Sequence, residues 1–328
     1  MDAPVLGASE AYTGPDRWQV STSWRYQKSH RHFVGSEEQH EREEDGSEVV
    51  NHVHLLDIGI RYNASERTSY SLGIPYLMAE RSNPIRNASG VVIARTETQA
   101  RGMGDITLVA RRLLWKPKSS PTANVSFGLG LKLPTGANNV VDTRQRLVNG
   151  QIVNSVETVD QSIQPGDGGF GAVLEVQGFR RLPNCGFSLY GSAAYLVNPE
   201  GQSGVATFRG GSGEQYMSIA DQYLARVGVT YSSTRLKGWG FALGGRLEGV
   251  PVRDLIGSSD GFRRPGYAVS IEPGISYTRG PHAVSLAVPI AVYRNRTRSV
   301  PDREATPSRH GDAAFADYVW FLGYFRKF

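Results

Sequence analysis

The sequence predicts an all-β fold: a transmembrane, antiparallel, up-and-down β-barrel of twelve strands, with long extracellular loops and short periplasmic turns. Three observations predict it. Twelve segments alternate large apolar residues on one parity with small, polar or charged residues on the other. The connectors between them alternate between short and long. Aromatic residues gather at the two ends of the segments, where side chains with an apolar body and a polar tip seat at a membrane–water interface. A water-soluble β-sandwich is the competing fold, but a core has no reason to collect its aromatics in two bands.

Composition agrees once alternation is taken into account. Hydrophobic residues make up 39% and mean hydropathy is −0.34. No apolar run reaches the ~18 residues a membrane helix needs. A barrel strand dilutes its apolar half with a polar half, so low hydropathy does not exclude it. The single Cys185 excludes an internal disulfide framework and a multi-cysteine metal site. The net charge of +5 is not gathered into a basic stripe, so nothing specific supports nucleic-acid binding. Met1-Asp2-Ala3-Pro4 lacks a charged n-region followed by an apolar h-region. The chain therefore reads as a mature or trimmed form. Residues 1–16, small and polar, are expected to be a flexible periplasmic segment or a minor plug, ahead of a barrel over 17–328.

The first strand, 17–33, sets Trp18, Val20, Thr22, Trp24 and Tyr26 against Arg17, Gln19, Ser21, Ser23 and Arg25. The second, 50–62, sets Leu56, Ile58, Ile60 and Tyr62 against Asp57, Gly59 and Arg61. The third carries Tyr70, Leu72, Ile74 and Tyr76, and the fourth, 105–114, carries Ile106, Leu108 and Ala110. In the fourth, even parity places Arg112 outward near an interface, where a long side chain can reach water, and Arg111 inward. The fifth sets Val125, Phe127, Leu129, Leu131 and Leu133 against Ser126, Gly128, Gly130 and Lys132. The sixth and seventh span 170–179 and 187–197. The eighth carries Tyr223, Val227 and Tyr231, and the ninth Trp239, Phe241, Leu243 and Leu247. The tenth carries Tyr267, Val269, Ile271 and Tyr277, and the eleventh Val284, Leu286, Val288, Ile290 and Val292. The twelfth carries Tyr318, Trp320, Leu322, Tyr324 and Phe328, interrupted by Arg326.

Five short connectors are expected at 63–67, 115–122, 180–186, 232–238 and 278–281. Six long loops are expected at 34–49, 79–104, 134–169, 198–222, 249–266 and 294–313. One aromatic girdle, near the short turns, includes Trp18, Tyr62, Tyr70, Trp115, Phe179, Phe187, Tyr231, Trp239, Tyr277 and Phe328. The other includes Tyr26, Tyr76, Tyr195, Tyr223, Tyr267, Tyr293 and Tyr318. An aromatic carboxyl terminus resembles the signal read by the barrel-assembly machinery, with Tyr324 and Phe328 as its residues. Strand twelve should close on strand one and bring both near Trp18.

Parity places Arg25, Asp57, Arg61, Asp105, Arg111, Lys132, Glu175, Arg226, Arg246, Glu248, Glu272 and Asp317 in the lumen. Against lipid an Arg or Lys would cost several kcal/mol near the midplane. Inside, the charges can form a rigidifying lattice of salt bridges, a charged constriction, or both. A barrel of this size is too narrow for a wide pore once side chains fill it.

His30 and His32 near the top of strand one, and His52 and His54 on strand two, share the parity of lipid-facing residues. Pairing His30 with His54 and His32 with His52 would present several imidazoles on one face, as a transition-metal site needs. With Lys28 and Arg31 they could instead meet lipopolysaccharide phosphates, or simply be solvated. The acidic run 37–45 reads as a solvated loop. No cofactor is expected. A lipid hydrolase would need a serine within reach of a rim histidine, and none lies two residues from His52 or His54.

Three short motifs carry a family resemblance. Gly104-Asp105-Ile106-Thr107-Leu108, Lys132-Leu133-Pro134-Thr135-Gly136 and Gly166-Asp167-Gly168-Gly169-Phe170 resemble strand starts and rims of the phenol-degradation meta-pathway (MetA-type) family of outer-membrane proteins. The resemblance covers about residues 100–200, and Val109 stands where the family more often has glycine. It implies an outer-membrane transporter or channel for small organic solutes, aromatic or hydrophobic ones among them, and not an enzyme. Its expected partners are outer-membrane lipid, lipopolysaccharide, the assembly machinery and the solute. A structural or surface-interaction barrel with an occluded lumen is the alternative.

Overall fold

The computed structural model describes residues 16–233 and 235–328. The expected flexible amino-terminal segment lies outside them, apart from Asp16. Twelve antiparallel strands close into a barrel. They are β1 (Trp18–Val34), β2 (Val50–Asn63), β3 (Thr68–Arg86), β4 (Val92–Met103 continued by Ile106–Leu113), β5 (Ala123–Leu133) and β6 (Gly171–Arg181). The circuit continues through β7 (Phe187–Val197), β8 (Gln222–Ser232), β9 (Trp239–Val250), β10 (Gly266–Arg279), β11 (His282–Ala287 continued by Ile290–Arg296) and β12 (Ala313–Lys327). Each strand pairs with the next, and β12 returns to β1 with Thr22 opposite Tyr324 and Trp24 opposite Leu322. The Phe328 amide donates to the Trp18 carbonyl at 2.9 Å. The terminal residue thus sits beside Trp18, whereas the Tyr324 hydroxyl meets His282 Nδ1 at 2.8 Å on the neighbouring strand.

The outer face is built for lipid. Leu129 is 64% exposed and Val227 68% exposed, a cost in water that hydrocarbon removes. At the short-turn end the aromatic rings pair across strands: Trp18 with Tyr62 at 4.7 Å, Phe187 with Tyr231 at 4.8 Å, and Trp239 with Tyr277 at 5.1 Å. The upper girdle holds Tyr195 opposite Tyr223 and Tyr267 within 5.9 Å of Tyr293. One girdle residue is corrected. Phe179 has the parity of Glu175 and faces inward, where it packs on buried Leu113 and Tyr190. These three inward side chains pack together at the short-turn end.

One expected loop is largely strand and another carries a hairpin. The residues expected as loop 79–104 extend β3 and β4 into a tall hairpin, with Arg81 opposite Thr98 and Pro84 opposite Arg95. Their charged residues mask an alternation that continues above the membrane. Within 134–169 a second hairpin pairs Val141–Val148 with Gln151–Thr158. Its turn is Asn149-Gly150, both at positive φ (51° and 79°), the residue pair that a two-residue hairpin turn favours. The acidic run in the first loop includes a four-residue helix, Glu41–Glu44. β11 is interrupted at Val288-Pro289, and the register shifts where Val292 bulges. Both Val292 and Tyr293 are consequently exposed. Beyond the bulge, parity reverses and Arg294 and Arg296 turn inward.

Candidate functional site: a capped lumen

Inside the barrel lies a cavity of about 670 Å³. Its lower wall is polar and charged, as parity predicts. Arg111 holds Glu175 at 2.6 Å and donates to Ser71 at 2.6 Å. Arg226 and Arg246 stand directly opposite each other on β8 and β9, a like-charge pairing that costs energy by itself. Glu272 on β10 resolves it: it bonds Arg226 and lies 3.5 Å from Arg246. Glu248 adds a second contact to Arg246 at 2.6 Å. Arg61 is buried and donates to Ser69 at 3.1 Å, Arg25 reaches Gln27 at 3.2 Å, and Asp57 lines the cavity. Asp317, higher on β12, takes Arg31 at 2.6 Å and Arg294 at 2.8 Å. Of the candidates read from parity, Asp57, Arg61, Asp105, Arg111, Lys132, Glu175 and Arg226 line the cavity.

Above the charged zone the wall becomes apolar. Val53, Leu77, Ala79 and Ala100 form a buried cluster with Val159 and Ile163. The last two come from the loop between β5 and β6, which folds into the barrel. Gln161, Ser162, Gln164 and Pro165 of this loop face the cavity from above. The loop is seated by its own base. Asp105 accepts from the amides of Gly136 (3.0 Å) and Asp167 (3.2 Å). Lys132 bonds Asp167 and lies 3.8 Å from Asp105. Thr135 Oγ1 accepts from Ile106 N and donates to Gly104 O, both at 2.9 Å. A Cβ on Gly166 would come within 2.5 Å of the Gly136 carbonyl, so the two backbones can approach only as glycines. The three motifs that carry the family resemblance thus meet at one place, where the inward loop leaves the wall.

The loop tip is latched. Asp160 accepts two bonds from Arg264, at 2.9 and 2.8 Å, and lies 3.5 Å from Arg81. Arg263 beside it holds Asp254 at 2.6 Å and Ser218 at 2.7 Å. Asp221 accepts from the Asn198 amide at 2.6 Å and from Leu255 at 2.8 Å. Three loops therefore make one stitched cap over the cavity. Burial by itself would raise the Asp160 carboxyl, but the Arg264 and Arg81 guanidiniums outweigh it and hold it well below the usual carboxylate range. A depressed carboxylate contributes stability that is present above its ordinary value, about 4, and is lost as pH falls through the folded value. Amide-exchange protection of residues 159–164 is expected to stay constant between about pH 8 and pH 5 and to fall only in stronger acid. Loss of protection already near pH 6 would contradict this.

The histidine pairing is corrected. The register sets Tyr26 opposite His54 and Lys28 opposite His52. Trp24 donates to His54 at 3.2 Å, and the Tyr26 hydroxyl meets His52 at 2.9 Å. His30 and His32 lie above this pairing, beyond shifts in the β1–β12 register at Gln27, Ser29 and Arg31. His32 is buried, 2.5 Å from Asp312, and accepts from the Val49 amide. His30 lies 3.9 Å from Asp317. A bulge exchanges the faces of a strand, so parity counted from below fails for these two. Among the described residues no group of three or more potential ligands is placed to hold a metal.

No family model matches the sequence, and no curated protein does. Among solved structures the chain is similar to the COG4313 outer membrane channel from Pseudomonas putida F1, with TM-score 0.62, 10% identity and 100% of both chains covered. The Pseudomonas putida toluene transporter TodX aligns at TM-score 0.49 and 9% identity, over 98% of this chain and 92% of that one. The β domain of the Bordetella autotransporter BrkA aligns at TM-score 0.48 and 14% identity, over 94% and 99%. At 10% identity the first is a likeness of fold, and the other two add nothing to it.

Proposed function

We propose that this chain is an outer-membrane channel for the passive movement of small organic solutes, aromatic or hydrophobic ones among them. The observation that carries the reading is the 670 Å³ cavity, charged below and collared by apolar residues above, beneath a cap of folded loops. A barrel that served only as a scaffold has no use for such a space. Convergence of the three motifs at the base of the inward loop supports kinship with the phenol-degradation meta-pathway family. The protein whose fold it resembles is itself named an outer membrane channel. Entry from outside passes the cap, and the solute then meets compensated ion pairs that offer donors and acceptors without a large net charge. Exit toward the periplasm passes Phe179, Leu113 and Tyr190.

The inter-loop ion pairs favour one second reading, a surface-interaction barrel with a permanently closed mouth. Reconstitution in planar bilayers separates the two. A steady ion current of small unitary conductance is expected, whereas a silent bilayer in which folded barrel is verified would favour the closed scaffold.

A further inference from the structure

At the loop tip four arginines converge on two carboxylates. Asp160 and Glu157 are shared by Arg81, Arg264, Arg144 and Arg146. Arg209 is additional. Its Nε is buried without a hydrogen-bond partner, and among the described residues no carboxylate lies within ion-pair distance of it. Burial, then the neighbouring Arg264, push its guanidinium below the ordinary value.

What surrounds Arg209 is aromatic. Its guanidinium carbon lies 3.9 Å from the ring centre of Phe262 and 5.8 Å from that of Phe208. Arg264 lies 4.7 Å from the same Phe262 ring, and Arg144 4.4 Å from Phe208. The result is a ladder: Arg144, Phe208, Arg209, Phe262, Arg264. It has a direction. Phe208 is 40% exposed at the surface, Phe262 is 3% exposed, and Arg264 lines the lumen cavity. A guanidinium stacked on a ring keeps its in-plane N–H groups for an oxyanion, and its fork matches a carboxylate.

Resting on the channel reading above, we infer that this ladder captures small aromatic carboxylates at the mouth and passes them to the cavity. The carboxylate takes the Arg209 fork, and the solute ring packs on the Phe208 face. A neutral aromatic lacks the first contact, and an aliphatic carboxylate lacks the second.

Calorimetric titration of the detergent-solubilised full chain with sodium benzoate and with sodium acetate tests this, in parallel with bilayer conductance in potassium chloride. Benzoate is expected to bind at least ~10-fold more tightly than acetate. Arg209→Gln is expected to weaken benzoate at least ~10-fold. Phe208→Ala is expected to bring benzoate down toward acetate while leaving acetate unchanged. Heat-modifiable mobility on gels verifies that each variant is a folded barrel. Absence of benzoate heat, or equal affinity in Arg209→Gln, overturns the inference. A chain that conducts chloride but does not bind benzoate sinks the inference and spares the channel. One that binds benzoate but never conducts keeps the capture site and overturns the channel, and with it the passage to the cavity.

Discussion

On the channel reading proposed above, replacing Asp160 by Asn is expected to open the barrel mouth. The substitution leaves Arg264 and Arg81 without the carboxylate they converge on. Breaking a buried pair by removing one partner costs about 3–5 kcal/mol, because the remaining charge stays desolvated. Arg264 keeps partial access to water, with its side chain 19% exposed, which places the cost near the lower limit. At about 1.4 kcal/mol per tenfold, 3 kcal/mol shifts the ratio of open to closed caps by about 100-fold. Planar-bilayer recordings should then show longer or larger openings than wild type in the same salt. Arg264→Gln should act in the same direction but more weakly, since Arg81 still faces Asp160. If Asp160→Asn conducts like wild type, the ion pair decorates the cap without holding it shut. The seated base of the loop, with Asp105, Lys132 and Asp167, is left intact by this design. A gain in current can therefore be read as tip release and not as loss of the whole loop.

Glu272→Gln is expected to give the largest loss of stability in the barrel wall. The carboxylate is 3% exposed and serves both Arg226 and Arg246, which the register places face to face. Without it two guanidiniums confront each other in a poorly solvated wall. The expected loss is about 3–5 kcal/mol, read from urea unfolding in lipid vesicles. Glu248→Gln is the control. Its side chain is 34% exposed and, among the described residues, its ion pair is with Arg246, so its loss should stay below about 1 kcal/mol. Equal losses for the two variants would mean that the lumen charges act as a diffuse field and that Glu272 has no bridging role.

How much of this was legible beforehand depended on whether the signal was local. The apolar face of β5 could be read directly, because a strand alternates with a period of two and lipid enforces the pattern on every outward residue. Inward Arg111 followed from the same parity and was found on Glu175. The Asn149-Gly150 hairpin lies within the expected loop 134–169 because the polar strands around it carry no apolar alternation to mark them. Phe179 was misplaced because an aromatic near a turn looks like a girdle residue until Glu175 on the same strand sets its face. His30 and His32 were misplaced for a different reason. The register shifts that carry them past the second strand depend on how β12 and the first loop pack against β1, and β12 lies about 280 residues away in sequence.

The sequence by itself determined that the chain is a twelve-stranded barrel and which face the charges of its unbulged strands take, but not the inward turn of Arg294 and Arg296 or the place of Arg264 at the cavity. The first two follow from a solvent that differs on the two faces of every strand, and that difference is written residue by residue. Only the tertiary structure decided that Asp160 meets Arg264 across 104 residues, that three short glycine motifs seat one inward loop, and that Arg209 lies between Phe208 and Phe262. These contacts join loops that have no periodicity to read. Charge pairing between them becomes strong only where folding has removed the water.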